Sequence, residues 1–411
     1  MKNIIKKIRQ FKYLPVLLLL IPLLIWLSRF YPVRPEITDP EQALIPVRFF
    51  LPDFNDDMDL ESLSLAVEKN FDFLDRVGPD HMFQYGPDRF TCSQVRESHE
   101  AFLEIIRRVS SPKELSKMVR ENFNVYKAAG GAKNRKVLFT GYFEPEYEAS
   151  LMPDDIFRYP LYGMPEDLVK INLSQFSERF SGESISARID GLDVVPYYTR
   201  EDIEFGKALQ GRGLELAWLK DPVDVAFLHI QGSGRLRLKD GEILSAGYLA
   251  ANGRQYKSIG KHLLDRELMT REEMSMQSIR TYLTENAEIV DEVLNYNPSY
   301  VFFRIRHGGP YGNIEVPLTP GRSMALNVKL FPKGSLCFIS CEKPILNREK
   351  EIDKWVPFSR FIMNQDTGGA ITGTGRADIF WGSDEYAEIA AGHMKHDGKL
   401  FVLMKKGLKT Q

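Results

Sequence analysis

Cysteine is scarce in this chain: Cys92, Cys337 and Cys341 are the only three in 411 residues. So few, so widely spaced, exclude the disulfide framework of a small secreted scaffold. If Cys337 and Cys341 share a strand, their Cα atoms stand about 13 Å apart at ~3.3 Å per residue, too far to bridge. A disulfide from one of them to Cys92 stays open. Histidine is little more common, with seven in all. His393 and His396 lie three apart, but Gly392 is placed to end their helix and no third ligand accompanies them, so no metal is expected. Net charge is −2 and no long basic run occurs, which excludes a nucleic-acid footprint. Gly368 to Gly373 has the opening spacing of a phosphate-binding loop, yet Thr374 stands where its lysine belongs, and that reading fails. No other cofactor signature is present, and none is expected.

What the chain does have is length and apolar content. Its 411 residues, 43% hydrophobic, allow two or three domains with true cores. Lys2, Lys6, Lys7, Arg9 and Lys12 precede an uncharged run, Leu14 to Leu27. The 16 residues between Lys12 and Arg29 make roughly 24 Å of helix, short for a span but workable if both flanking cations snorkel. No Ala-x-Ala site follows the run, so an uncleaved signal anchor is expected rather than a cleaved signal peptide. The cluster of positive charge puts the amino terminus in the cytoplasm and everything after Tyr31 outside. Residues 1–31 are then an anchor and 32–48, with their prolines, a tether.

Helical periodicity follows in Leu60 to Val77 and Ser93 to Val109, and Ser111-Pro112 starts a third helix that Gly130-Gly131 is expected to end. Val137 to Pro145 reads as a strand opening into a turn, with Thr140, Tyr142 and Glu144 alternating along it. Exposed aromatics and hydroxyls suit a sugar site, though Tyr142 and Phe143 read equally as core. Ala226 to Gly234, AFLHIQGSG, reads as a strand ending in a glycine-flanked serine, but the G-x-S-x-G elbow is not met. Thr270, with Glu273 three residues on, is expected to cap a helix from Arg271. Beyond Gly309 short strands alternate with turns, the spacing of a small barrel.

The stretch Phe361 to Gly398 looks built for chemistry. Two aspartates, Asp366 and Asp378, stand at the ends of apolar strands and are separated by glycines. A carboxylate beside apolar strands and aromatic neighbours is where desolvation raises a pKa enough for general-acid work. Asp beside Gly is also common in plain turns, and the residues alone do not choose between the two.

A resemblance adds to this. Asp366-Thr367-Gly368-Gly369-Ala370-Ile371, Gly373, Arg376-Ala377-Asp378, Trp381-Gly382 and Ala391-Gly392 resemble the three-aspartate domain that closes members of the membrane-bound lytic murein transglycosylase A family. Thr140-Gly141-Tyr142-Phe143, Tyr159-Pro160-Leu161-Tyr162, Pro196 to Arg200, Gln231-Gly232-Ser233-Gly234 and Asn297 to Phe303 resemble earlier stretches of the same family. The resemblance implies a mainly β fold with flanking helices. A six-stranded double-psi β-barrel would comprise residues 49–139 and 307–411, with the three-aspartate domain at about 315–406. A second β-rich domain, residues 140–306, would interrupt it and leave a groove between the two.

The activity implied is cleavage of the β-1,4 bond between N-acetylmuramic acid and N-acetylglucosamine to give 1,6-anhydromuramoyl ends. Asp378 would be the acid and then the base, Asp366 would hold and tune it, and Thr140, Tyr142, Glu144, Gln231, Ser233 and Gly369 would contact glycan. The implied partners are peptidoglycan strands, the membrane through the anchor, and proteins of wall synthesis or hydrolysis. The resemblance implies the periplasmic face of a Gram-negative envelope, and the uncleaved anchor puts the protein at the inner rather than the outer membrane. Three departures stand out: no Cys follows the apolar run to carry lipid, Asn327 occupies the family's first aspartate position, and Thr372 stands where Lys is common. A two-carboxylate glycosidase and a glycan-holding barrel without turnover are the rival readings.

Overall fold

A computed structural model describes residues 35–409 except 133, 272, 273 and 370, so the expected anchor at 1–31 lies outside the described residues. Within the stretch expected as a tether, Pro40–Ala43 is helical and Leu44–Val47 is a strand paired with Val125–Ala128. Three longer helices follow, and each starts on a side-chain cap. Helix α1 (Leu60–Val77) begins where Asp59 accepts the Ser62 amide, and it buries Leu63, Ala66, Val67, Asn70, Phe73 and Leu74 along one face. Helix α2 (Cys92–Arg108) opens on a reciprocal Thr91–Gln94 capping box. Helix α3 (Pro112–Asn122) has Ser111 as cap and proline in its first turn. It does not run on to Gly130-Gly131. A strand, Phe123–Ala128, follows at once, because Phe123, Val125 and Tyr126 are drawn into the same core as the helices. The inward faces of all three helices pack on Phe338, Phe361 and Met363.

Those three residues belong to a closed barrel. Its strands in chain order are β1 (Val137–Tyr142), β2 (Ser323–Ala325), β3 (Leu336–Leu346), β4 (Ile352–Asp366), β5 (Arg376–Phe380) and β6 (Lys395–Lys405). Around the barrel the order is β6-β3-β4-β2-β5-β1, and β1 returns to pair with β6. The β1–β5 and β2–β4 pairings are parallel, the rest antiparallel. This is the closed six-stranded barrel in a mainly β fold that the resemblance implied. Strands β3 and β4 extend well past the short apolar pieces visible in the sequence, since the polar residues Glu342 to Trp355 continue the same ladder beyond the core.

Between β1 and β2 the chain builds a second sheet. Its order is Val301–His307, Ile243–Ala251, Ser233–Arg237, Glu146–Ser150, Glu215–Leu219, Tyr159–Tyr162. The segment expected as a strand at 226–234 is mostly helix: α4 (Pro222–Gln231) is capped by Asp221, and Gly232 ends it in the left-handed conformation at φ 77°. A second boundary differs as well. The helix expected from Arg271 is Met276–Glu285, capped by Ser275, whose hydroxyl accepts the Ser278 amide.

Two buried features tie the barrel together. Arg322, just before β2, forms an ion pair with Asp56 in which the side chains are 0% and 3% exposed. Its guanidinium also donates to Ser62 Oγ and to the carbonyls of Asp59 and Phe361, so the segment leading into α1 is locked onto the barrel. All three cysteines are free and buried, and the Cys92 disulfide left open by the sequence does not form.

Candidate active site

The short strand β2 brings the two aspartates to one place. Ala325 is the register partner of Asp366 on β4 and of Asp378 on β5. The two acids therefore flank a single strand, with backbones about 10 Å apart at ~4.8 Å per strand spacing. On the other side of β5, Thr140 of β1 is in register with Asp378 and donates its hydroxyl to Oδ1 at 2.6 Å. Two residues on, the Tyr142 hydroxyl donates to Asp366 Oδ2 at 2.7 Å. Asp366 Oδ1 accepts two backbone amides, Asn313 at 2.9 Å and Thr367 at 2.8 Å. The first of these needs Gly312, because a Cβ there would stand 2.2 Å from the Gln365 carbonyl oxygen.

The two carboxyls differ in what surrounds them. Burial pushes Asp366 up to about 6, against the pull of three donors and with a smaller push from Asp378. Burial also raises Asp378, opposed by the Thr140 hydrogen bond and the positive charge of Arg376. Each donor on Asp366 favours its carboxylate form and occupies its oxygens. Asp378 accepts one protein hydrogen bond among the described residues, at Oδ1, and Oδ2 is left for something else. Tyr142 is partly buried, and its hydroxyl is pushed well above its ordinary value by burial and by Asp366, so it stays a donor.

Both aspartates line a cleft of about 660 Å³ between the barrel and the second sheet. Of the residues singled out in the sequence, Tyr142, Gln231, Ser233 and Gly369 also line it. Gln231 and Ser233 arrive on either side of the Gly232 turn that ends α4. Thr140 sits behind Asp378 rather than on the wall. Glu144 is 2% exposed and is not on the wall either: it accepts a hydrogen bond from Ser245, which does line the cleft, and burial raises it to about 7.

The sequence did not pick out Tyr248, Arg304, Arg306, Tyr311, Asn313 and Glu315, all of which line the cleft. Asn313 acts through its backbone amide, and no residue pattern announces that. Asn327, at the resembled family's first aspartate position, accepts the Lys329 amide in a turn, a task for which Asn and Asp are interchangeable. Among the described residues no group of three His, Cys, Asp or Glu could hold a metal.

Known proteins resemble this chain in sequence and fold. A family model described as the MltA specific insert domain matches residues 138–304, and one described as the 3D domain matches 322–404. The membrane-bound lytic murein transglycosylase A of Vibrio cholerae is 35% identical over 287 residues, 69% of this chain and 69% of its own. A crystal structure of a membrane-bound lytic murein transglycosylase from Agrobacterium tumefaciens superposes with a TM-score of 0.70 at 31% identity, covering 89% of this chain and 98% of that one. Escherichia coli MltA with bound chitohexaose has a TM-score of 0.67 at 24% identity, covers 90% and 96% of the two chains, and supports the fold alone.

Proposed function

Because the chain belongs to the membrane-bound lytic murein transglycosylase A family, we propose that Asp378 acts in turn as acid and base in lytic cleavage of peptidoglycan. The enzyme is a peptidoglycan-cleaving lyase. In the first step Asp378 gives its proton to the oxygen joining muramic C1 to the next sugar. The C1–O bond breaks with its electron pair on that oxygen, and positive charge develops at C1. The C6 hydroxyl of the same muramic residue then closes on C1, and Asp378, now a carboxylate, takes its proton. No water is consumed, and the acid is regenerated.

The observation that carries this reading is the asymmetry of the pair: among the described residues Asp378 accepts one donor, at Oδ1, while Asp366 accepts three. Burial raises both carboxyls, Asp366 to about 6, so it is the difference in hydrogen-bond partners and not the shift that favours Asp378 as the proton donor. Asp366, held by Tyr142 and two amides, suits a fixed negative charge beside the developing cation at C1. We read residues 49–142 and 307–411 as the barrel domain and 143–306 as the insert, with the glycan lying in the cleft between them. The boundary expected after 139 moves to the end of β1, because Thr140 and Tyr142 pair with β5. Separate hydrogen-bonded sheets in the two parts support that division.

The product tests the reaction. Sacculi digested by the purified protein should release fragments ending in 1,6-anhydromuramic acid, lighter by one water than hydrolytic ends, and chelator should have no effect. Mainly reducing ends would favour a two-carboxylate hydrolase with Asp366 as partner. Binding to sacculi without release would favour the glycan-holding module. For location, we keep residues 1–31 as an uncleaved anchor at the periplasmic face of the inner membrane. The intact mass of membrane-extracted protein should then include Met1 or Lys2, and a mature amino terminus near Ser28 would instead mean a cleaved signal peptide.

A further inference from the structure

On the wall formed by the strand Val301–His307, Arg304 and Arg306 stand two residues apart and so share one face. Among the described residues lining the cleft they are the only lysine or arginine side chains. Each is about a third exposed, and both bind one carboxylate: Glu315 pairs with Arg304 through Oε1 and with Arg306 through Oε2 at 2.6 Å. The Arg306 guanidinium lies 4.5 Å from the centre of the Tyr311 ring, a flat platform at the cleft edge.

Glu315 is held in an unusual way. Its backbone is left-handed, φ 57°, a conformation costly for a residue with a Cβ. Arg76 of α1 secures it by donating to the carbonyls of Ile314 and Glu315. The loop thus presents a carboxylate to a two-guanidinium fork inside an otherwise acidic cleft. An ion pair this exposed is worth little, so another carboxylate can replace Glu315 at small net cost.

We propose that Arg304 and Arg306 form a subsite for the carboxylate carried on the muramic 3-O-substituent, with Glu315 as its built-in competitor. This rests on the peptidoglycan reading given above. Two sources share the chemistry: the free carboxylate of a bare lactyl group, and the carboxylates of an attached peptide stem. The subsite would distinguish muramic acid from N-acetylglucosamine, which lacks this substituent, and so set which sugar lies over the aspartates.

The test measures binding to the whole chain in detergent, carrying Asp378→Asn to prevent turnover. Three probes are used: chitohexaose without carboxylates, stem-free glycan oligomers with lactyl carboxylates, and stem-bearing oligomers. One or both carboxylate-bearing probes should bind about tenfold tighter than chitohexaose, and which of them does identifies the source. Added salt should narrow the gap. Arg304→Gln with Arg306→Gln should collapse it to within about twofold, whereas Glu315→Gln should widen it by freeing the fork. A gap that survives the double substitution overturns the subsite. So does a Glu315→Gln protein that binds carboxylate probes more weakly, since the three residues would then be a structural clasp. Equal binding of all three probes overturns this inference alone, and binding of none overturns the peptidoglycan reading with it.

Discussion

Asp378→Asn should cut muropeptide release from sacculi by about a thousandfold or more, while glycan binding and folding persist. The substitution keeps the shape of the side chain, and its amide oxygen still accepts the Thr140 hydroxyl now bonded at 2.6 Å. What disappears is the proton. Asp366→Asn should slow turnover but leave it measurable, because that residue supplies fixed charge rather than a transferred proton. Thr140→Val adds a diagnostic second arm. The Thr140 hydrogen bond lowers the pKa of Asp378, so removing it raises that pKa. The acid then stays protonated to higher pH, and the alkaline limb of the rate profile should move upward. Release by Asp378→Asn at the wild-type rate would assign the acid elsewhere, and an alkaline limb unmoved in Thr140→Val would mean that it titrates another group.

Arg322→Met should lower unfolding stability by roughly 3–5 kcal/mol, the usual cost of leaving one partner of a buried ion pair uncompensated. Asp56, 3% exposed, would lose its ion-pair partner and retain, among the described residues, only the Met58 and Phe361 amides as donors. Further donors from the same guanidinium, to Ser62 Oγ and the Asp59 and Phe361 carbonyls, would be lost as well. Urea unfolding followed by tryptophan fluorescence measures the change. The double variant Arg322→Met with Asp56→Leu should recover a substantial part of the loss, since both charges are then gone. A drop below about 1 kcal/mol in the single variant would show that water reaches Asp56 and compensates it.

The sequence made some of this legible and hid the rest for identifiable reasons. One-sided apolar faces located the first two helices almost to the residue, and Ser111-Pro112 marked where the third begins, but its end at Asn122 rather than Gly130-Gly131 was not legible. Helix α4 was misread since nearly all of it is buried, from Val223 through His229, and an all-apolar helix has no stripe to reveal its period. The better clue was at its ends: Asp221-Pro222 is a cap followed by a proline at the first helical position, and Gly232 a left-handed stop. At the site, Asp366 and Asp378 could be named from their glycine-rich surroundings, and Tyr142 from its strand. Asn313 and Glu315 could not be, because one contributes a main-chain amide and the other a carboxylate positioned by a left-handed turn. Arg322 could be read as part of a turn, but its partner lies in a segment some 266 positions away with no pattern linking them.

The path of the chain through the barrel also bears on how the enzyme comes into being. Strand β1 is synthesised before the insert and is separated from β2 by roughly 180 residues, so bringing it back to its neighbours costs about 3 kcal/mol more loop-closure entropy than a hairpin would. Without β1 the other five strands form an open sheet, bare along β5 and along Lys395–Gly398 of β6, the rest of whose edge pairs with the strand Phe123–Ala128. Contacts of such large sequence separation are slow to form, because the loop must close before they reward it. Thr140 and Tyr142 both ride on β1, so the hydrogen bonds to Asp378 and Asp366 form only when the ring shuts. A nascent or partly folded chain thus carries both acids but has no assembled site, and the capacity to cut the wall arrives together with the finished fold.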